Sequence, residues 1–107
     1  MYTNPQKRGS FDTVELRREA GRWLKDRREA RGISQRQLAE LVGTDYYTFI
    51  SQLETGRGRI PPDKYWTWAE ALGVDTRELV LALLPFYDPI TYNILFSGTH
   101  SDRLDIG

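Results

Sequence analysis

The side chains with directional hydrogen-bonding chemistry gather in one stretch. Tyr47, Thr48, Ser51, Gln52 and Thr55 share one side of a segment at helical spacing, opposite Phe49, Ile50 and Leu53. Gln52 has the amide to pair bidentately with an adenine edge, Thr48 and Ser51 can donate or accept, and the Thr48 methyl can meet a thymine methyl. Tyr47 adds a hydroxyl and a flat face. Arg36 precedes the segment and Arg57 and Arg59 follow it; these, with Lys7 or Arg8 near the N-terminus, are the candidate phosphate contacts. Tyr46 stands with this contact set, but it lies one turn before Ile50 and is expected to pack partly inward.

No competing chemistry converges elsewhere. The 107 residues include no cysteine and one histidine, His100, in a polar tail. Disulfides, thiol nucleophiles, Cys-ligated zinc and a multi-histidine metal site within one chain are excluded. The carboxylate pairs Asp12/Glu15 and Asp75/Glu78 are explained as helix caps. No nucleophile, base and orienting group come together, so neither an enzyme, a cofactor nor a metal is expected. Trp23, Trp66 and Trp68 are spaced for core or interface rather than a ligand box.

A hydrophobic fraction of 39% supports one small core, and a charged fraction of 28% fits a soluble protein. No apolar run approaches the roughly 20 residues of a membrane span, and residues 1–5 lack the apolar stretch of a secretory signal. The expected location is cytoplasmic, at the nucleoid, with no membrane partner. Charge is neutral in sum but divided. Residues 1–64 hold thirteen basic and nine acidic side chains, and residues 65–107 hold two and six. A basic first part is a possible footprint for nucleic acid.

The elements that must position the contact residues are read from caps and periodicity. Asp12 with Glu15 opens helix 1, about 13–31, whose inner face is Leu16, Ala20, Trp23 and Leu24, and Gly32 stops it. Ser34 and Gln37 form a capping box for helix 2, with Leu38, Ala39, Leu41 and Val42 inward and Gly43 at its end. Thr44 or Asp45 caps helix 3, and Gly56 ends it. Asp63 caps helix 4, whose stripe is Tyr65, Trp66, Ala69 and Leu72. Asp75 opens helix 5, with Leu79, Val80, Leu83 and Leu84 inward, and Pro85 closes it. A short sixth helix starts at Asp88-Pro89, with Ile90, Ile94 and Leu95 on one side. Ala39 and Gly43 permit two short helices to cross closely, as a helix-turn-helix requires. Ile50 and Leu53 then anchor helix 3 and leave its outer face free for a major groove.

On these residues the chain resembles the helix-turn-helix domain of the Xre and lambdoid-phage repressor (Cro/C1-type) family. The matching stretch is Arg28-x-x-x-Gly32-Ile33-Ser34-Gln35-x-x-Leu38-Ala39, then Ile50-Ser51-Gln52-Leu53-Glu54-x-Gly56, continuing through Ile60-Pro61 to Ala69-x-Ala71-Leu72-Gly73-Val74. The resemblance covers about residues 16–84. It implies a five-helix bundle acting as a homodimer on a partly palindromic, double-stranded DNA operator. It further implies that Ser34 offers backbone N–H groups to a phosphate, and that Gln35 binds a phosphate and braces the recognition helix. Tyr47, Thr48 and Gln52 match base-reading positions, Arg57 and Arg59 match a backbone-gripping loop, and Arg28 and Glu54 match an internal ion pair. One departure stands out. Between Gly43 and Glu54 the chain has one residue more than the usual family spacing, and a second extra residue falls before Pro62. The first lengthens the turn around Thr44-Asp45 or starts helix 3 earlier, which leaves the frame of Tyr46, Tyr47 and Thr48 open by one residue.

The expected fold is therefore all-α: a compact five-helix bundle containing a helix-turn-helix, with a short C-terminal helical extension. Residues 1–12 are read as a flexible arm, 13–84 as the DNA-binding domain, and 85–107 as a dimerisation segment with a frayed tail. Phe86, Tyr92, Leu95 and Phe96 are the expected dimer contacts; the alternative is that this segment covers the monomer core. The expected function is a sequence-specific transcriptional regulator, a repressor. The competing reading is an antitoxin or protein-interaction adaptor that uses the aromatic C-terminal half to bind a protein partner.

Overall fold

The computed structural model describes residues 12–96. The expectations for Lys7, Arg8, His100 and the rest of the arm and tail lie outside the described residues. Six α-helices follow one another: α1 (Thr13–Arg31), α2 (Gln35–Val42), α3 (Tyr47–Glu54), α4 (Tyr65–Leu72), α5 (Thr76–Tyr87) and α6 (Pro89–Phe96), with a 3-10 turn at Pro62–Lys64 before α4. Described residues contain no strand. Among them no single helix is long and apolar enough to cross a membrane; α5 and α6 meet those criteria only as a pair bent by 115°.

Local chemistry sets most boundaries. The Asp12 carboxylate accepts from the Val14 and Glu15 N–H groups, and Ser34 and Gln37 exchange side-chain and backbone bonds across the first turn of α2. Each supplies acceptors to donors that the helix cannot satisfy internally. Asp75 does the same for α5, accepting from Glu78. At Asp88, the carboxylate accepts from the Thr91 N–H and Pro89 takes the first helical position of α6.

The helices close on one core. α1 packs on α3 and α5, α2 on α3 and α4, and α4 on α5. Leu24, Leu38, Ile50, Leu53, Ile60, Leu79 and Leu83 are fully buried at its centre, each contributing about 1.5–3 kcal/mol of transfer free energy.

Six expectations fail here for physical reasons. Helix α3 has no side-chain cap. Thr44 Oγ1 accepts from the Tyr46 N–H instead, which folds the turn and leaves Asp45 outside the helix. Tyr46 is 71% exposed rather than inward, because it is the non-helical residue before α3 and the 3.6-residue period does not extend to it. Asp63 does not cap α4: it sits inside the 3-10 turn that Pro62 opens. The buried tryptophan of α4 is Trp68, while Trp66 is 72% exposed; Leu41 of α2 likewise faces outward. Pro85 does not close α5, which continues to Tyr87. An interior proline costs about 3 kcal/mol, and tertiary contacts offset it: Phe86 packs against the core and Tyr87 is buried.

Candidate nucleic-acid interface

The interface is built outward from one buried ion pair. Arg28 Nε donates to Glu54 Oε2 at 2.6 Å and Arg28 Nη2 donates to Oε1 at 3.1 Å. The third edge of the guanidinium, Nη1, donates to the Ile33 carbonyl at 2.8 Å. Glu54 Oε1 also accepts from Gln35 Nε2 at 3.0 Å. One carboxylate thus ties the end of α1, the start of α2 and the end of α3. The pair is almost out of solvent, with side-chain exposures of 10% and 4%. The hydrogen bonds that Arg28 donates to Glu54 raise its pKa above the ordinary value against the opposing effect of desolvation, so the guanidinium stays charged. Gln35 is thereby a brace on α3.

A second device fixes the distance between α1 and α3. Gly21 lies on the buried face of α1, and a Cβ there would stand 2.6 Å from the Leu53 carbonyl oxygen and closer still to that of Glu54. Only a residue without Cβ permits the last turn of α3 to rest on the α1 backbone. Gly56 repeats this just beyond α3, where its φ of +88° and its contact with the Arg18 backbone both favour glycine. Sequence reading missed Gly21, although a glycine beside Ala20 and near Leu24 on an inner helical face is a usable signal of close approach.

Held this way, α3 buries Ile50, Leu53 and Glu54 and turns the opposite side outward. Thr48 and Gln52 are exposed, Ser51 is half-buried, and Tyr47 is 41% exposed. Gly43 to Tyr46 lie between the helices, which puts Tyr47 at the first position of α3. Ser34, at the N-cap of α2, is exposed, with its hydroxyl committed to Gln37. Arg36 follows on α2, and its guanidinium lies over the Tyr47 ring at 4.5 Å from the centroid.

The two loop arginines separate. Arg57 is exposed, its N–H held by the Gln52 carbonyl at 2.8 Å. Arg59 is half-buried and spoken for: Nη2 donates to the Tyr65 hydroxyl at 2.6 Å, Nε to the Ile60 carbonyl, and the guanidinium stacks 4.3 Å from the Tyr87 ring centroid. Tyr87 in turn accepts the buried Ile60 N–H at 3.1 Å. Nothing in the spacing between Arg59 and Tyr87 announces this contact. Among the described residues no group of three or more His, Asp or Glu side chains is placed to hold a metal ion.

Residues 24–79, from the middle of α1 to the first turns of α5, match a family described as helix-turn-helix (HTH_3). The chain belongs to this helix-turn-helix family. Its matched part contains the Arg28–Gln35–Glu54 hub, the whole of α2 and α3, and the loop after them. Among solved structures, the chain is similar to the restriction-modification controller protein C.AhdI from Aeromonas hydrophila. Identity is 32% and the TM-score 0.53, over 61% of this chain and 96% of that one. No curated protein matches.

Proposed function

We propose that this helix-turn-helix protein is a DNA-binding transcriptional regulator that represses by laying α3 in the major groove of an operator. The observation that carries this is the outward side of α3, where Tyr47, Thr48, Ser51 and Gln52 stand on a helix fixed at its far end by a buried ion pair. A rigidly held helix presents its donors and acceptors without an ordering cost at binding. Gln52, Thr48 and Ser51 read base edges. The N-terminal turn of α2, with Ser34 exposed and Gln35 half-buried, meets a phosphate, and Arg57 grips the backbone. Tyr46, exposed at the entry to α3, lies against a sugar or phosphate. Arg59 acts at one remove, by holding the loop that carries Arg57.

The protein acts as a homodimer in the cytoplasm, at the nucleoid. Helix α6 supports this, because none of its residues is buried and Ile90, Ile94, Leu95 and Phe96 are between 52% and 61% exposed. It packs on α5 without a buried residue of its own. Tyr92 leans on Phe96 with ring centroids 4.8 Å apart, while Phe86 packs against the core and drops out of the expected dimer set. The same apolar helix would equally serve an adaptor or antitoxin that binds a different protein. Sedimentation of the purified protein separates the two: a dimer that dissociates on Leu95→Asp supports self-association.

Fluorescence anisotropy with duplex DNA from upstream of the protein's own gene tests the function. Binding should weaken steeply with salt, the slope falling by about one when Arg57 becomes alanine. Gln52→Ala should cost about 1–3 kcal/mol and relax one operator position. Equal affinity for every duplex at all salt concentrations would reject the proposal.

A further inference from the structure

We infer that Arg36 and Tyr47 act as one stacked unit that reads a guanine, so that Arg36 is a specificity-determining residue rather than a phosphate contact. This rests on the DNA-reading role of α3 given above. Arg36 is the second residue of α2 and Tyr47 the first of α3. Their stacking, at 4.5 Å, therefore holds the guanidinium beside the N-terminal turn of the reading helix rather than out along the backbone of the duplex. A guanidinium whose centre lies over a ring spends none of its N–H groups on that contact, and those groups form the fork that matches two acceptors at once. Guanine N7 and O6 are such a pair in the major groove. Among the described residues the Arg36 side chain has no hydrogen-bond or ion-pair partner, although Glu40 follows one turn later on the same helix.

The surroundings decide between base and phosphate. Arg36 and Tyr47 line a cleft of about 130 Å³ together with Ala39, Glu40, Thr44 and Asp45. Glu40 and Asp45 put acceptors beside the guanidinium, which suits a base-pair edge carrying donors as well as acceptors better than a phosphate, which carries acceptors only. A base pair fits the same set: the cytosine N4 amino group opposite the guanine is a donor that a carboxylate can accept. Arg57, exposed beyond the end of α3, has no such acidic company in this cleft and is left as the backbone contact.

The test is selection from a randomised duplex pool, followed by anisotropy on the selected duplex and on a copy with 7-deazaguanine at the assigned position. Wild type should select a guanine that Arg36→Met no longer selects, with the preference due to Gln52 intact. Methionine keeps much of the stem but has no donor for N7 or O6. The 7-deaza duplex, which lacks N7 but keeps O6, should bind wild type about 5-fold more weakly, the lower end of what a bidentate pair supplies, and should bind Arg36→Met no differently from the parent duplex. Tyr47→Phe, which keeps the ring, should retain the guanine, and Tyr47→Leu should lose it. An unchanged motif in Arg36→Met, or a uniform loss across all duplexes in Arg36→Ala, would overturn the inference while leaving α3 as the reader. A wild-type protein that selects no motif would instead remove the reading on which it rests.

Discussion

Replacing Gly21 by alanine sets a local preference against a tertiary one, and the structure says which wins. In an isolated helix the change gains about 1 kcal/mol, because alanine loses less backbone entropy than glycine. In this fold the new Cβ would meet the Leu53 carbonyl oxygen at 2.6 Å, the Glu54 carbonyl carbon at 2.7 Å and the Glu54 oxygen nearer still. All three are backbone atoms, so no rotamer change relieves them. α1 must back away from α3 by roughly 0.5–1 Å, and a gap of that size forfeits a quarter to a half of the dispersion energy at each affected contact. Ala20, Leu24, Ile50 and Leu53, each at most 2% exposed, lie along the seam that opens. Overpacking of this kind costs about 1–3 kcal/mol, and the rigidity of the obstacle places Gly21 at the upper end. The expected net loss is about 2 kcal/mol, a fall in Tm of about 8–16 °C for a domain of this size. Thermal unfolding followed by circular dichroism measures it. Gly58→Ala is the control: its Cβ would meet only the Leu53 Cδ2 methyl at 3.4 Å, and its effect should stay within about 0.5 kcal/mol. A Gly21→Ala protein that melts higher than wild type would refute the close approach of α1 to α3.

Arg28→Ala leaves the Glu54 carboxylate buried with Gln35 alone, and urea titration should find about 3–5 kcal/mol lost; the double variant Arg28→Met/Glu54→Leu should recover most of it, whereas equal losses in both would argue against an uncompensated charge as the cause. Tyr87→Phe removes the acceptor of the buried Ile60 N–H and should cost about 1–3 kcal/mol at neutral pH. Burial first of all raises the Tyr87 pKa above its ordinary value, with the Ile60 N–H and the Arg59 charge pulling the other way. An unfolded tyrosine ionises near pH 10, so the contribution of the neutral hydroxyl is complete below about pH 10 and is lost as pH rises through the folded value. Wild type should therefore lose stability more steeply than Tyr87→Phe on the alkaline side, which melting temperatures across that range would check.

Much of the fold was legible because its signals are local. Asp12, Ser34, Asp75 and Asp88 cap the helices they were expected to cap, since a cap needs only a short side chain and the two or three N–H groups that follow it. Gly32, Gly43 and Gly73 end α1, α2 and α4 in the left-handed conformation. The resemblance placed Arg28 against Glu54, twenty-six residues apart, where periodicity alone could not pair them. Local signals failed where two of them competed. Asp63 looked like a cap until Pro62 started a 3-10 turn across it, and Pro85 looked like a stop until the burial of Tyr87 held another turn together.

By itself the sequence determined the helix count, the order of the helices and the outward place of Gln52, while the frame of Tyr46, Tyr47 and Thr48 waited for the structure to start α3 at Tyr47; caps and a 3.6-residue period are properties of a few neighbouring residues. Only the tertiary structure decided that Gly21 is where α3 rests on α1, that Arg59 serves Tyr65 and Tyr87, and that Arg36 lies on Tyr47. The physical reason is the same in each case. A guanidinium on a long flexible stem, or a missing Cβ, carries no preference for a partner until distant helices have packed and fixed what lies within reach.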